Sequence, residues 1–445
     1  MTRQRGHPSA CTEPMGEHIL HDRSRKAHNI IAATIGNTLE FYDFTVYAAF
    51  STFLSQAYFP AGNPHLMLLL STVIFGIGFL SRPIGAMVMG AYADRYGRKQ
   101  AMTLTIWLMA LGSLMIGVLP GYATLGLAAP MLLILARLIQ GFSAGGEMGS
   151  TTAFLVESSA RDRIGLAASW QIATQNIGSI ISGLGGVGLG ACLSNTQLAG
   201  WGWRLPFLFG AIIAPVGFWI RRNVDETLHV GQTLHSMKTV ISHLLTQMPG
   251  RIALSIMLVA GNTVAQYFFL YGTIFAIQDL HFPAAFSISI NIALGVVGFP
   301  GALLGGYLAD RYGPFRIVLV TRFLLCLLLI PAFMLLLAYP TPIVFTVVIM
   351  FLMSFHAAST GACICLLPGM FPMKVRTLGT GLSYALGVTI FGGTAQPIFT
   401  MMIADTGNNL SWIYYVVGML CLSSLSLIFL WRMPGASTTA ACAEH

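Results

Sequence analysis

The chain has 445 residues, of which 55% are hydrophobic and only 9% charged, with a formal net charge of +8. Soluble proteins carry about 25% charged residues, and so few charges cannot cover the surface of a water-soluble fold of this size. The composition therefore dictates an all-α polytopic membrane protein. In chain order, residues 1–28 read as a loose, polar cytoplasmic tail with four histidines, His7, His18, His21 and His28. The tail lacks the short apolar core and small-residue cleavage site of a signal peptide. A helical span needs ~20 apolar residues. Twelve runs meet that need, at 29–56, 68–91, 101–119, 129–150, 164–190 and 203–220, then 251–277, 286–309, 316–338, 342–367, 377–404 and 410–431. They are too long for barrel strands and do not alternate, which excludes a membrane β-barrel. Residues 221–250 are polar and separate the sixth run from the seventh, and 433–445 form a second tail.

The positive charge would suggest nucleic acid in a soluble protein, but its distribution follows topology. Arg95, Arg98 and Lys99 follow the second run, Arg161 and Arg163 the fourth, Arg311 and Arg316 the eighth, and Lys374 and Arg376 the tenth. Arg432 ends the twelfth, and Arg221, Arg222, Lys238 and Arg251 surround the middle loop. The intervening loops carry almost no cations, Arg204 being the exception. By the positive-inside rule both termini are expected to be cytoplasmic. No nucleic-acid partner is expected. Seven scattered cysteines suggest neither a disulfide framework nor a metal site.

The stretch GNTLEFYDF, 36–44, places Glu40 and Asp43 inside the first run. A carboxylate at mid-bilayer costs roughly 2.5–3.5 kcal/mol on insertion scales, so such residues need partners or a function. At ~1.5 Å per residue, Asp43 sits ~21 Å from the cytoplasmic end of its helix and Arg137 ~20 Å; Glu40 sits ~17 Å deep and Arg82 ~13 Å. The depths suggest two acid–base couples, Asp43 with Arg137 and Glu40 with Arg82. Both arginines can also receive a substrate carboxylate through bidentate hydrogen bonds. Glu147 shares a stripe with Arg137 but lies only ~5 Å from the cytoplasmic end, which suits a gating pair. Other candidates for the cavity are Gln171 and Gln175, Asn262 and Gln266, and Tyr267 and Tyr271. Each pair is spaced i, i+4 and so shares a helix face. His356, in the middle of the tenth run, could titrate near neutral pH.

The chain also repeats itself. GAYADRYGRK at 90–99 and GYLADRYGPF at 306–315 follow the second and eighth runs. Two six-helix halves, 29–220 and 251–432, joined by a cytoplasmic linker at 221–250, have the repeat logic of secondary transporters, with substrate held between the halves near the midplane. No P-loop, zinc-protease or nucleophile-elbow motif is present, so neither an ATP-driven pump nor an enzyme is expected.

The loop with Asp94, Arg95, Gly97 and Arg98 resembles the signature loop of the major facilitator superfamily. Further stretches are similar to its metabolite–proton symporter group: GNTLEFYDF, SRPIGA at 81–86, ARLIQGFSAGGEMG at 136–149, WGWRLPF at 201–207 and FPMKVRTLGTGLSYALGVTIFGG at 371–393. That group includes porters for citrate, 2-oxoglutarate, shikimate and proline/betaine, and LIQGFSAGGEMG with SWQIATQNIG looks closest to the citrate type. The resemblance implies two pseudo-symmetric six-helix bundles, a proton as the coupling ion and no other cofactor. It implies Asp43 as the proton carrier, with Arg137 modulating it, and Glu40 as a second candidate. It also implies an Arg–Glu lock at the cytoplasmic face, from Arg98 in the first signature loop and Glu157. In the second half Asp310 and Arg311 are kept, but Pro314–Phe315 replaces a basic pair and Gly369 an acid. The cytoplasmic gate is thus expected to be latched mainly by the first half. The function implied is uptake of a small organic anion, a di- or tricarboxylate, by a monomer in the bilayer. The alternatives are uptake of a zwitterionic osmolyte or efflux of an acidic metabolite.

Overall fold

The computed structural model describes residues 34–60, 63–96, 98–157, 159, 163–222, 246–371 and 376–432. The expected tails and most of the linker lie outside them. Twelve long helical runs appear in the order the hydropathy dictates. They are α1 (34–49, continued by Ser51–Tyr58), α2 (Pro64–Ile77, a 3-10 turn Gly78–Ser81, then Arg82–Tyr96), α3 (Arg98–Val118), α4 (Ala128–Glu157), α5 (Ile164–Cys192) and α6 (Leu205–Arg222). The second six are α7 (Pro249–Gln278), α8 (Ala284–Tyr312), α9 (Pro314–Ala338), α10 (Pro342–Cys363), α11 (Arg376–Gly387, a π turn Val388–Gly392, then Gly393–Thr406) and α12 (Ser411–Arg432). Among the described residues, nine helical stretches are long and apolar enough to cross a membrane.

The two six-helix halves meet along α5 against α8 and α2 against α11. Small residues make both seams. A Cβ added to Gly76 on α2 would lie 2.0 Å from the Gly393 carbonyl oxygen on α11. At the opposite end, where the signature loops lie, a Cβ on Gly306 of α8 would meet the Gly165 oxygen of α5 at 2.5 Å. Such closeness suits a bilayer, where helix association relies on packing and hydrogen bonds because lipid is as apolar as the helices.

At the signature-loop end, Asp310 of α8 crosses the seam. Its two carboxylate oxygens accept the Gly165 and Leu166 amides at 2.6 and 2.9 Å, in the first turn of α5. Those amides have no carbonyl partner within the helix, and the positive end of the helix dipole favours a carboxylate there. The second half thus supplies a contact of its own at this end. Gly97 and the side chains of Asp94, Arg95, Arg98, Glu157 and Arg376 lie outside the described residues. Arg311 is exposed, with its guanidinium 5.4 Å from the Tyr312 ring centre.

Candidate functional site

The break in α2 builds the first half of the site. A 3-10 turn holds i→i+3 bonds and eclipses its side chains, so it stays short. Pro83, lacking an amide hydrogen, suits the start of the next helical segment. Ser81 ties the turn down by donating to the carbonyls of Gly78 (3.0 Å) and Leu138 of α4 (2.7 Å). Arg82 then projects between the rings of Phe44 and Phe79, 4.8 Å from each centre. Its Nη2 donates to Glu40 Oε1 at 2.5 Å, and both side chains are buried. Glu40 and Arg82 thus stand together as their depths suggested.

Asp43 and Arg137 are joined differently. No direct ion pair forms between them. Asp43 Oδ2 accepts from Ser113 Oγ at 2.6 Å, Ser113 Oγ accepts from Gln140 Nε2 at 2.9 Å, and Gln140 Oε1 accepts from Arg137 Nη1 at 2.6 Å. Three helices, α1, α3 and α4, contribute to this chain. Depth along a helix axis could match the two charges but could not show that α3 lies between them. Arg137 is fully buried in an aromatic box, its guanidinium 4.4 Å from the Tyr47 ring centre, 5.0 Å from Phe75 and 5.3 Å from Phe44. Such cation–π contacts replace part of its lost hydration. Asp43 Oδ1 and Arg137 Nε and Nη2 have no hydrogen-bond partner among the described residues.

A small, partly open cavity lies between the halves. Phe41, Arg82 and Gln175 line it from the first half; Asn262, Gln266, Tyr267 and Tyr384 line it from the second. Tyr267 packs edge-on against Phe75 and Phe79, at 5.6 and 5.5 Å between ring centres. This aromatic layer closes the cavity toward the end away from the signature loops. Thr389, in the π turn of α11, donates to the Phe79 carbonyl at 2.8 Å and reinforces the closure. So does Gln278 of α7, donating to Thr52 of α1 at 3.3 Å.

Several expected site residues stand elsewhere. Gln171 is buried and does not line the cavity; it accepts from Thr152 of α4, and its backbone carbonyl accepts Asn37 of α1 at 2.6 Å. It braces the first half, whereas Gln175, one turn on, donates to Asn37 at 3.2 Å and does face the cavity. Tyr271 turns away to Thr400 at 3.1 Å and packs against Phe399 and Trp412, although Tyr267, one turn back, lines the cavity. In both cases i, i+4 spacing puts two side chains on one face, but the cavity is shorter than that face. His356 stands behind Gln266, its Nε2 3.0 Å from Gln266 Oε1, and Arg137 stands behind the aromatic layer. Neither lines the cavity. Glu147 is buried on α4.

Besides Ser113 and Gln140, sequence reasoning missed two further residues. Tyr384 lines the cavity from α11, and Arg322 is fully buried in α9. The signal for Arg322 was present, since a lone arginine inside the apolar run 316–338 is a functional candidate by default.

The Major Facilitator Superfamily family model matches residues 34–362. The chain is 35% identical over 407 residues to a citrate-proton symporter of Klebsiella pneumoniae, covering 91% of each chain. It is 34% identical over 424 residues to an alpha-ketoglutarate permease of Escherichia coli, covering 92% of this chain and 95% of the permease. Its fold superposes on the xylose transporter XylE from E. coli, in a partially occluded inward-open conformation, with a TM-score of 0.73 at 18% identity. That match covers 92% of this chain and 98% of the transporter.

Proposed function

The chain belongs to the major facilitator superfamily, and from that premise we propose that it imports a small organic anion, a di- or tricarboxylate such as citrate or 2-oxoglutarate, together with protons. The observation that carries this reading is Arg82, the cation that lines the cavity while its Nη2 is held by the buried acid Glu40. In the resting pair the two charges cancel. A proton on Glu40 releases Arg82 from its counter-charge, and the guanidinium fork then offers a substrate carboxylate paired donors. The proton and one substrate carboxylate thus enter as a charge-balanced pair, so that Arg82 is never left uncompensated in the bilayer, which would be costly. After the halves rock and the anion leaves, Arg82 recaptures Glu40 and the proton departs.

Asp43 supplies a second proton site. Its Oδ2 is committed to Ser113, while Oδ1 has no partner among the described residues and can hold a proton. The chain through Ser113 and Gln140 links that proton to Arg137, which packs on the aromatic layer closing the cavity. Protonation at Asp43 is thereby tied to the element that opens and shuts. The signature-loop end and both termini are assigned to the cytoplasm of a bacterial-type inner membrane. The aromatic layer then lies on the outward side, and the unit is a monomer.

The test is uptake into proteoliposomes with an imposed pH gradient, offering citrate, 2-oxoglutarate and betaine separately. Accumulation of a carboxylate above its external concentration is expected, and it should collapse with a protonophore. Accumulation of betaine alone would transfer the reading to a zwitterionic osmolyte. Outward movement of a carboxylate against its gradient would transfer it to efflux.

A further inference from the structure

Arg322 of α9 is fully buried and, among the described residues, meets only neutral groups. It donates to Ser423 Oγ at 2.5 Å, Asn262 Oδ1 at 3.0 Å, Ser359 Oγ and the Leu258 carbonyl at 3.3 Å each, and Cys363 Sγ at 3.5 Å. Between residues 251 and 432 the only carboxylates are Asp279, Asp310 and Asp405. All three lie at or near helix ends. No acid in this half can therefore neutralise Arg322 as Glu40 neutralises Arg82. A buried cation without a counter-ion is expensive, so its retention calls for a role that neutral residues could not fill.

The contact with Asn262 gives that role a direction. A carboxamide presents an oxygen acceptor on one side and two N–H donors on the other, and its orientation follows the hydrogen bonds it makes. Arginine has donors only, so the Asn262 oxygen must face Arg322. The Nδ2 donors then point away from it, and Asn262 lines the cavity. His356 cannot orient Gln266 so strictly, because an imidazole nitrogen donates or accepts according to its tautomer.

We propose that Arg322 is a positioning residue for the transported anion: it locks the Asn262 carboxamide with its N–H donors facing the cavity, so that the second half recognises a substrate carboxylate opposite Arg82. Released from Arg322, the amide flips freely and presents an oxygen to the anion half the time. The inference rests on the organic-anion reading above and adds to it the residue that sets the polarity of the far wall.

The test is a double-mutant cycle in proteoliposomes with the full chain, using whichever of citrate and 2-oxoglutarate the wild type accumulates. Hydrogen bonds to charged groups contribute enough that Arg322→Gln should raise KM about 10-fold, with the maximal rate within about twofold. In an Asn262→Ala background the same change should move KM by less than about twofold, because residues acting through one another are not additive. Should Arg322→Gln not accumulate in membranes, Arg322→Met enters the same cycle with the same expectations, because its thioether offers the Asn262 oxygen no donor. An unchanged KM, or an equal rise in both backgrounds, overturns the inference alone. Wild-type protein that accumulates neither carboxylate overturns the organic-anion reading and this inference with it.

Discussion

The two halves share a fold and a repeated loop, yet they handle buried charge in opposite ways. In the first half Glu40, Asp43, Arg82 and Arg137 stand buried together, bridged by Ser113 and Gln140. In the second half one arginine stands among neutral partners. Away from the cavity this half has an aromatic core, with Trp412 within 5.1–5.4 Å of the rings of Phe268, Tyr271, Phe275, Phe333 and Phe399. Charges that can gain or lose protons are thus concentrated on one side of the cavity, and a rigid wall with oriented donors faces them. Coupling needs a group whose charge changes during the cycle. Recognition needs groups whose charge does not. Dividing the two tasks between the halves lets each be held by its own packing.

The largest effect should come from removing a titrating group on the active side. Asp43→Asn keeps the size of the side chain and loses its exchangeable proton. Accumulation driven by a gradient of one pH unit should fall about tenfold, the drive of one proton, while counterflow exchange of substrate persists. His356→Gln, the corresponding removal on the opposite side, should leave accumulation coupled. Equal loss of coupling in the two variants would erase the distinction between the halves.

Next in size is the packing of the aromatic core around Trp412. Trp412→Ala removes a fully buried ring and should cost about 3 kcal/mol. Thermal unfolding of purified protein should show a lowered Tm, with the KM of surviving protein little changed. A large KM change without loss of stability would mean that the cluster contacts substrate.

A smaller effect is expected where the halves touch. Asp310→Ala removes the carboxylate from the first turn of α5, a capping loss of about 1 kcal/mol. The balance between closed and open signature-loop ends should shift by about fivefold. Labelling of a cysteine placed near Gly165 would report it, and unchanged labelling would show that the amides find water as good a partner.

The smallest effect concerns the opposite end. Burial lifts the Asp279 carboxyl to about 6, against the pull of His65 and His281, whereas a free aspartate titrates near ~3.9. The closed end therefore binds this proton more tightly than an open, hydrated end would. Closure is strongest at acid pH and weakens as pH rises through about 6. Reactivity of a cysteine at Asn63 should increase over that interval, and Asp279→Asn should flatten the response. A response of the same size in that variant would assign it to other groups.

Composition and hydropathy by themselves determined the class, the number of helical runs and the two-half organisation. These follow from the length of chain needed to cross a bilayer and from the repeated loop, both one-dimensional quantities. The Glu40–Arg82 contact was also legible, because matching depth and opposite charge constrain residues on adjacent helices. Tertiary structure alone decided the rest. It inserted Ser113 and Gln140 between Asp43 and Arg137, turned Gln171 and Tyr271 out of the cavity, and set Arg322 behind Asn262. Each of these depends on the rotation of one helix about its axis relative to its neighbours. That rotation is fixed by how the side chains of several helices pack at once, and no single run of sequence carries it.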